Sequence, residues 1–227
     1  MNFFSNNIEL LTESKNFSWK EFNAATGTSQ DDLSSIEKIN MEQLIKISSY
    51  FHITMDALCK QNLSEKRYKK SIKMLILDVD GVMTDGGMYY TEKGDDLKRF
   101  HTKDGMGIKT LCKNGFPVGI ISASFSSELV VRRAKALGMK HIYVGKREKL
   151  EVLNDWCKEL NISTSDVAYI GDDVNDLRIM KAVGVSACPK DAVSIVKSNA
   201  DIILNRKGGK ACVREFIDLY IQEITRD

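Results

Sequence analysis

The sequence has few of the features that mark unstructured or fibrous chains. It contains only two prolines and 15 glycines in 227 residues, and it has no internal repeat or low-complexity tract. Hydrophobic residues make up 43% and charged residues 28%, the composition of an ordinary globular protein. We therefore expect a folded chain, long enough for a small domain ahead of a medium one or for one large domain.

The chain also lacks an excess of either charge, with 33 Lys and Arg against 31 Asp and Glu. This balance argues against binding to nucleic acid or anionic membranes through bulk charge. No apolar run approaches the roughly 18–20 residues that span a bilayer. Residues 1–7 lack the basic and apolar segments of a secretory signal. We expect a cytoplasmic location and no membrane partner.

The five cysteines are scattered, and no two of them form a C-x-x-C pair. This spacing is typical of neither a disulfide framework nor a tetrahedral zinc site. We interpret them as small, buried thiols of a protein in a reducing compartment.

A polar, mostly basic run at 64–71 separates two regions with different hydrophobic patterns. Short amphipathic helical patterns precede it, and short apolar strands that alternate with helices follow it. The sequence therefore predicts a small all-α domain over 1–66 and an α/β domain with a parallel sheet over 67–227. We place the strands at 74–79, 117–121, 141–144, 167–170, 184–187 and 201–204. The helices are expected at about 105–114, 126–137, 146–160, 173–182, 190–197 and 209–224. The pattern of residues 84–101 predicts a β-hairpin with a glycine-containing turn.

Paired carboxylates directly follow the first apolar strand. Asp78 and Asp80 are two positions apart, so in extended backbone their side chains can enter one crevice. The carboxyl ends of strands are where open α/β sheets bind ligands. Such close carboxylates repel unless a cation lies between them or one carries a proton. One can then act as a nucleophile towards phosphorus while the other protonates the leaving oxygen.

A second acidic cluster follows the strand at 167–170 and contains Asp172, Asp173 and Asp176. A parallel sheet can bring it beside the first pair, and carboxylate oxygens of this kind suit Mg²⁺. Each cluster alone could be a turn that caps a helix, but two clusters at matching strand ends favour a metal site. Ser122, after a third strand, and Lys149 could hold and neutralise a phosphoryl group.

These residues, in this order, resemble the haloacid dehalogenase (HAD) superfamily of phosphotransferases over residues 72–227. Within it the chain is most similar to the small phosphatases of 3-deoxy-manno-octulosonate 8-phosphate and of nine-carbon ulosonate 9-phosphates. The resemblance rests on the stretches 84–90, 100–107 and 208–215 in addition to the carboxylate motifs. It implies a HAD-like Rossmannoid sheet with a β-hairpin and no large cap, because only about 44 residues separate Asp78 from Ser122.

The resemblance implies a two-step mechanism. Asp78 attacks phosphorus and forms an aspartyl-phosphate, and Asp80 protonates the sugar oxygen and then activates water. Mg²⁺ is expected on Asp78, the backbone carbonyl of Asp80 and Asp172, supported by Asp173 and Asp176. Ser122 and Lys149 are expected to hold the phosphoryl group. The implied substrate contacts are His101, Thr102, Lys103, Asp104, Gly105, Lys109 and Arg133.

Without a cap, such enzymes are similar in forming tetramers in which a neighbour's hairpin and C-terminal tail cover the site. The hairpin near Met88 and the tail near Lys210 are the corresponding candidates here. The sequence departs from the family pattern at Ser122-Ala123-Ser124, where Thr-Gly-Arg is usual, and at His101, where Asn is more frequent. The replaced arginine could bind the anionic end of the substrate, so we expect Ser124 to affect substrate preference.

Residues 5–62 resemble the Cro/C1-type helix-turn-helix fold. Ser18 and Thr28 are predicted to cap two short helices separated by a turn at Gly27. The second of these helices would be the recognition helix, and it carries Asp31 and Asp32, which phosphates would repel. Residues 1–70 contain equal numbers of basic and acidic residues, and the first arginine is Arg67. We therefore expect a protein-interaction or oligomerisation module rather than a DNA-binding one.

The favoured function is that of a Mg²⁺-dependent phosphatase that releases a free ulosonic acid for cell-surface glycans. One alternative is a transcriptional regulator whose α/β domain senses a phosphorylated metabolite. It is disfavoured because a sensor needs neither a nucleophile nor an acid. Another phosphomonoesterase or a phosphomutase would differ in the substrate pocket, and a mutase usually needs a cap that this chain has no length for.

Overall fold

The computed structural model describes residues 3–12, 17–51, 53–60, 72–90, 92, 96–123 and 127–221. The chain divides into two compact units, Met1–Ser71 and Ile72–Asp227. In the described part of the chain, no helix combines the length and the hydrophobicity that a membrane span requires. All five cysteines are free thiols, and three of them are buried.

The first unit is helical. Its helices are α1 (Phe3–Thr12), α2 (Trp19–Thr26), α3 (Met41–Tyr50) and α4 (Met55–Lys60). The Ser18 hydroxyl accepts from the Glu21 N–H and caps α2 as predicted, and Gly27, at φ 66°, ends that helix. The core contains the buried side chains of Phe4, Phe22, Ile47 and Leu58.

The predicted recognition helix is wrong. Two 3₁₀ turns, Asp32–Ser34 and Ile36–Lys38, occupy its place. Thr28 does not cap a helix, because its hydroxyl donates to the carbonyl of Thr26. The carboxylate of Asp32 instead accepts from the backbone and hydroxyl of Ser29, at 2.9 and 2.6 Å. This local bonding competes with helical bonding, as short polar side chains often do.

The second unit is an α/β fold with a six-stranded parallel sheet. Its strands are β1 (Met74–Leu77), β4 (Val118–Ser122), β5 (His141–Val144), β6 (Val167–Ile170), β7 (Val185–Cys188) and β8 (Ile202–Ile203). Across the sheet they lie in the order β5-β4-β1-β6-β7-β8. Its helices are α5 (Thr102–Lys113), α6 (Ser127–Ala136), α7 (Lys149–Glu159), α8 (Leu177–Ala182), α9 (Ser194–Lys197) and α10 (Cys212–Tyr220). The predicted fold class is confirmed for this unit.

Helices cover both faces of the sheet, which explains why its strands are continuous apolar runs. Successive side chains of β1 enter opposite cores: Leu75 and Leu77 pack with α5, α6 and α10, whereas Met74 and Ile76 pack with α7 and α8. A short antiparallel ladder, β2 (Tyr89–Tyr90) with β3 (Asp96–Leu97), forms the hairpin.

Several helices begin later than predicted, for local reasons. Helix α10 begins at Cys212 rather than near 209, because Gly209 and Ala211 have φ of 60° and 71° and cannot continue a helix. Helix α9 begins only at Ser194, since the Val193 N–H bonds to the carbonyl of Asp172. Helix α7 begins at Lys149, where the carboxylate of Glu148 accepts from the Leu150 N–H.

Candidate active site

Three neighbouring strands of the sheet end at one edge. β1 pairs with β4 on one side and with β6 on the other, all in parallel. Asp78 follows β1, Ser122 is the last residue of β4, and the acidic loop of Asp172 follows β6. The strand order therefore brings the two predicted acidic clusters to adjacent positions.

Lys149 joins the two clusters through buried contacts. Its Nζ lies 2.8 Å from Oδ1 of Asp78 and 2.6 Å from Oδ1 of Asp176. The phenol of Tyr169 donates to the same oxygen of Asp176, also at 2.6 Å. All four side chains are nearly or fully buried, so the ammonium is held firmly beside the carboxylate of Asp78.

Asp176 organises the backbone of the second cluster. Its Oδ2 accepts from the N–H groups of Asp172 and Asp173, at 2.9 and 3.2 Å. Asp173 is exposed, and its carboxylate accepts from the Val174 N–H, which caps the short turn Val174–Asp176. Both oxygens of Asp176 are thus used within the protein, and Asp173 shapes the loop.

The loops after β1 and β6 touch. Gly81 has φ of 81°, and a Cβ at this position would collide with the carboxylate of Asp172. Glycine is needed here both for the backbone conformation and for the close approach. The turn Val79–Met83 thereby brings Asp80 to the same cleft as Asp172.

The acidic cluster carries unrelieved repulsion. Burial raises the pKa of Asp78 to about 7, and the charge of Asp176 adds to the rise, although Lys149 partly offsets it. Burial and the charges of Asp78 and Asp176 raise the pKa of Asp172 to about 8. Burial lowers the pKa of Lys149, but the two carboxylates beside it outweigh this effect and raise it.

These residues fit a divalent cation. The Oδ1 atom of Asp172 is buried without a hydrogen-bond partner. One oxygen each of Asp78, Asp172 and Asp176 lies within 4.8 Å of the other two. Because Asp176 is already bonded by Lys149, Tyr169 and backbone N–H groups, Asp78 and Asp172 are the available ligands. A cation between them would relieve the repulsion that raises both pKa values.

A cleft of about 290 Å³ opens above this cluster. Its walls are formed by both acidic loops and by glycines of the first loop: Asp78, Asp80, Gly81, Gly86, Asp172, Asp173, Val174 and Asn175. Ser122, at the end of β4, and Lys149, which contacts Asp78, are both buried and are not among the residues that line the cleft.

The segment before α10 supports the first loop. The carbonyl of Val82 accepts from the Gly209 N–H at 2.9 Å and from the Cys212 thiol at 3.3 Å. A Cβ at Gly208 would collide with the carbonyl of Gly81. The stretch near Lys210 therefore packs on the loop of its own chain, and residues 222–227 of the predicted covering tail lie outside the described residues.

The predicted substrate contacts separate into two groups. Thr102, Lys103 and Lys109 are exposed on α5, and the His101 Nδ1 atom accepts from the Lys103 N–H at 3.2 Å to cap that helix. These positions are accessible to a ligand. Ser124, the predicted specificity position, lies outside the described residues.

Of the other predicted contacts, Asp104 and Gly105 are buried and Arg133 is half-buried. Asp104 is 2% exposed, and its carboxylate accepts from the Arg214 N–H at 2.7 Å, so it caps α10. Burial raises the pKa of Asp104, which the bond from Arg214 partly offsets. The Arg133 guanidinium packs against Gly105 and lies 5.6 Å from the centre of the Phe100 ring. Asp104 thus has a structural role through Oδ1, while its Oδ2 atom is buried without a hydrogen-bond partner, and its place among the substrate contacts stays a prediction.

The sequence analysis missed Lys98 and Tyr169. The Lys98 Nζ lies 2.6 Å from Oδ1 of Asp80, and the Lys98 side chain is 1% exposed. A phenol within the apolar strand β6 is a signal that could have indicated a buried polar partner for Tyr169. Lys98 comes directly after the hairpin strand β3, in a polar stretch where a lysine usually faces solvent, so the local pattern gave no such signal.

Comparison with known proteins identifies the family. The family model of the haloacid dehalogenase-like hydrolases matches residues 121–216 of the sequence. The 3-deoxy-D-manno-octulosonate 8-phosphate phosphatase of Salmonella typhi is 38% identical over 152 residues, 67% of this chain and 80% of that protein. The chain belongs to the haloacid dehalogenase-like hydrolases. The Haemophilus influenzae phosphatase of the same name is 39% identical over 153 residues, which are 67% of this chain and 84% of that protein.

Solved structures of haloacid dehalogenase-like hydrolases support the same assignment. The Yersinia pestis 3-deoxy-D-manno-octulosonate 8-phosphate phosphatase has a TM-score of 0.65 and 38% identity, and the match covers 68% of this chain and 82% of that one. The Moraxella catarrhalis phosphatase, solved with magnesium, phosphate and KDO, has a TM-score of 0.64 and 37% identity, and the match covers 67% of this chain and 87% of that one. The chain is thus an enzyme of a hydrolase family whose named relatives are phosphatases. The N-terminal likeness to helix-turn-helix proteins stays a prediction.

Proposed function

We propose that this protein is a Mg²⁺-dependent phosphomonoesterase that hydrolyses the phosphate ester of a ulosonic acid. The observation that carries the proposal is the buried contact of Lys149 with Asp78, beside an Asp172 oxygen without a partner. Phosphoryl transfer needs a nucleophile, a cation held beside it and an oxygen ligand for a metal ion, and Asp78, Lys149 and Asp172 supply these three groups. The names of the relatives support 3-deoxy-D-manno-octulosonate 8-phosphate as the first substrate to test.

The first chemical step belongs to Asp78 and Asp80. The Asp78 carboxylate attacks phosphorus, the bond from phosphorus to the sugar oxygen breaks, and Asp80 gives that oxygen a proton. Lys149 stabilises the charge of the phosphoryl group and keeps Asp78 oriented. The product at this stage is a free sugar and an aspartyl-phosphate on Asp78.

The second step returns the enzyme to its starting state. Asp80, now ionised, removes a proton from water, and the water oxygen attacks the phosphorus of the aspartyl-phosphate. The bond to Asp78 breaks, and inorganic phosphate leaves. Bound Mg²⁺, held by Asp78, the Asp80 carbonyl and Asp172, would neutralise phosphoryl charge in both steps.

The open cleft supports a homo-oligomer, for which we propose a tetramer. Met88, Tyr89 and Leu97 of the hairpin are 54%, 58% and 60% exposed. Apolar side chains grouped on one hairpin are typical of a protein contact. A neighbouring copy would cover the cleft and these side chains together.

For the first unit we propose protein interaction rather than DNA binding. The expected recognition helix is absent from the described residues 29–38, and Met41 and Ile45 of α3 are 66% and 49% exposed. Fluorescence anisotropy of labelled random duplex DNA at low salt tests the proposal that the first unit does not bind DNA. No binding by the full chain is expected, and tight binding would contradict the proposal.

The free thiols support a reducing compartment, in line with action in the cytoplasm.

Phosphate release with and without Mg²⁺ tests the function directly. The panel contains 3-deoxy-D-manno-octulosonate 8-phosphate, the 9-phosphates of N-acetylneuraminate and of its deaminated analogue, and simple hexose phosphates. We expect a strong, Mg²⁺-dependent preference for one ulosonate phosphate. Uniformly slow hydrolysis across the panel would overturn the proposal and favour a sensor of phosphorylated metabolites.

A further inference from the structure

Lys98, whose side chain is buried, forms an ion pair with the half-exposed carboxylate that we assign to acid and base chemistry. Its Nζ lies 2.6 Å from Oδ1 of Asp80, and the side chains of Lys98 and Asp80 are 1% and 38% exposed. Burying an ammonium costs free energy unless it is paired at good geometry. The contact at Asp80 is therefore one that the fold maintains, unlike an exposed pair between flexible side chains.

The backbone fixes where Lys98 lies. Lys98 follows β3, and the next residue, Arg99, bonds to the carboxylate of Asp85. Phe100 forms a β-bridge with Thr84. Three successive residues that follow the hairpin strand β3 thus contact the loop that carries Asp80.

The contacts on Asp80 are unequal between its two oxygens. The Thr84 hydroxyl lies 3.5 Å from Oδ1, the oxygen that Lys98 contacts. Among the described residues, both hydrogen bonds to this carboxylate are made at Oδ1. Asp80 also lines the cleft, so Oδ2 is the oxygen that remains for the substrate.

We propose that Lys98 is a positioning residue, which holds Oδ1 of Asp80 so that Oδ2 exchanges the proton with the leaving oxygen and with water. This inference rests on the proposed function, because it assumes that Asp80 serves as the acid. Lys98 itself does not touch the substrate. Its effect is to keep one rotamer of Asp80 and thereby to place the proton within reach of the breaking bond.

Two aryl esters test the proposal without reference to the natural substrate. p-Nitrophenolate leaves without a proton, whereas phenolate is a poorer leaving group and needs one. In rapid-quench single turnovers, Lys98→Met should slow the release of phenol from phenyl phosphate by about 10- to 100-fold, part of what general acids contribute. Release of p-nitrophenol should fall less than about threefold, with little change in the KM of either ester.

Matched variants separate positioning from a structural role. Lys98→Arg should restore most of the rate with phenyl phosphate, because it keeps a cation at Oδ1. Arg99→Met removes the neighbouring cation and should leave the ratio of the two rates unchanged. In the Asp80→Asn background, Lys98→Met should add no further loss, since both changes act through one group.

Equal losses with both esters, or a further loss in the Asp80→Asn background, would overturn the role of Lys98. If Lys98→Met does not fold, Lys98→Gln replaces it and the same ratio decides. If the wild type hydrolyses neither ester but hydrolyses a ulosonate phosphate, the Lys98 variants are compared on that substrate, where an unchanged kcat in Lys98→Met would overturn the role of Lys98. A wild-type enzyme that hydrolyses neither the esters nor any phosphate of the panel would overturn the proposed function as well. Hydrolysis of both esters with an unchanged ratio in the variant would overturn only the inference about Lys98.

Discussion

The phenol of Tyr169 donates to the same oxygen of Asp176 that the Lys149 ammonium contacts, and each distance is 2.6 Å. Burial and the charge of Asp176 raise the pKa of Tyr169 well above its usual value, so the phenol stays protonated and acts as a donor. Tyr169 therefore shares with Lys149 the task of balancing Asp176, and it keeps that carboxylate in place.

Tyr169→Phe should weaken this arrangement without removing any charge. We expect about 1 kcal/mol lower free energy of unfolding, the usual net value of a hydrogen bond. We also expect a lower kcat, because Lys149 would shift towards Asp176. Tyr143→Phe is the control, since its hydroxyl accepts from the Arg147 N–H instead. Wild-type kcat in Tyr169→Phe, by steady-state phosphate release, would contradict this reading.

Asp78→Asn should abolish turnover and leave the fold intact. An amide cannot form the acyl phosphate, so the loss should reach the background of the assay. Removing this charge also relieves repulsion on Asp172, so the metal-free variant should be at least as stable as the wild type in thermal unfolding. Asp155→Asn, which removes a surface partner of Arg147, should keep full activity. Phosphate release by Asp78→Asn would exclude Asp78 as the nucleophile.

The raised pKa values of Asp78 and Asp172 predict how stability depends on pH. An unfolded chain loses these protons near pH 4, whereas the folded, metal-free protein keeps them up to about pH 7 and about pH 8. Their contribution to stability is therefore complete below about pH 4 and is lost as the pH rises to about 8. We expect the Tm of the metal-free protein to fall between pH 5 and 8.5.

Mg²⁺ should oppose this trend because the cation competes with the two protons. The increase in Tm on adding Mg²⁺ should be larger at pH 8 than at pH 6. Asp172→Asn should flatten the pH dependence and remove most of the Mg²⁺ effect. Circular dichroism after EDTA treatment, with and without Mg²⁺, measures both. An equal or larger Mg²⁺ effect at pH 6 would contradict the linkage.

Substitutions at Asp104 test whether its carboxylate serves as a cap of α10 or as a substrate contact. α10 has no side-chain cap from its own N-terminal residue, and the Asp104 carboxylate supplies one from α5. Asp104→Ala should lower the free energy of unfolding by about 1–2 kcal/mol, as loss of a cap does. Asp104→Asn keeps an acceptor and should retain most of the stability. A large rise in KM for Asp104→Asn at unchanged stability would instead restore the substrate contact.

The sequence predicted the sheet and the meeting of the two acidic clusters at one edge of it, because the signals were local. The strands from β1 to β7 of the parallel sheet are mostly apolar runs of four or five residues, Asp78 directly follows β1, and Asp172 follows β6 after one glycine. Ser18 and Gly27 could be assigned as caps because their side-chain chemistry and backbone freedom act within one turn of chain.

The remaining features depend on contacts between distant parts of the chain. Lys98 and Tyr169 acquire their roles from partners that only the folded hairpin and sheet bring near. Asp104 fits a substrate motif by position, yet one oxygen of its carboxylate caps α10. In the first unit, the Asp32 carboxylate accepts hydrogen bonds from Ser29, and 3₁₀ turns form where a helix was expected. The pattern of polar residues in the sequence does not distinguish such turns from a capped helix.

The loop after β1 depends on the far end of the chain, since Val82 is bonded by Gly209 and by Cys212, 130 residues later. During synthesis, Val82 therefore leaves the ribosome on the order of ten seconds before these partners exist, at about 5–20 residues per second. All the carboxylates are present in the nascent chain before their loop is supported. A chain that terminates before Gly208 would keep every catalytic residue and still lack an organised site, so activity should be sensitive to premature stop codons almost to the last helix.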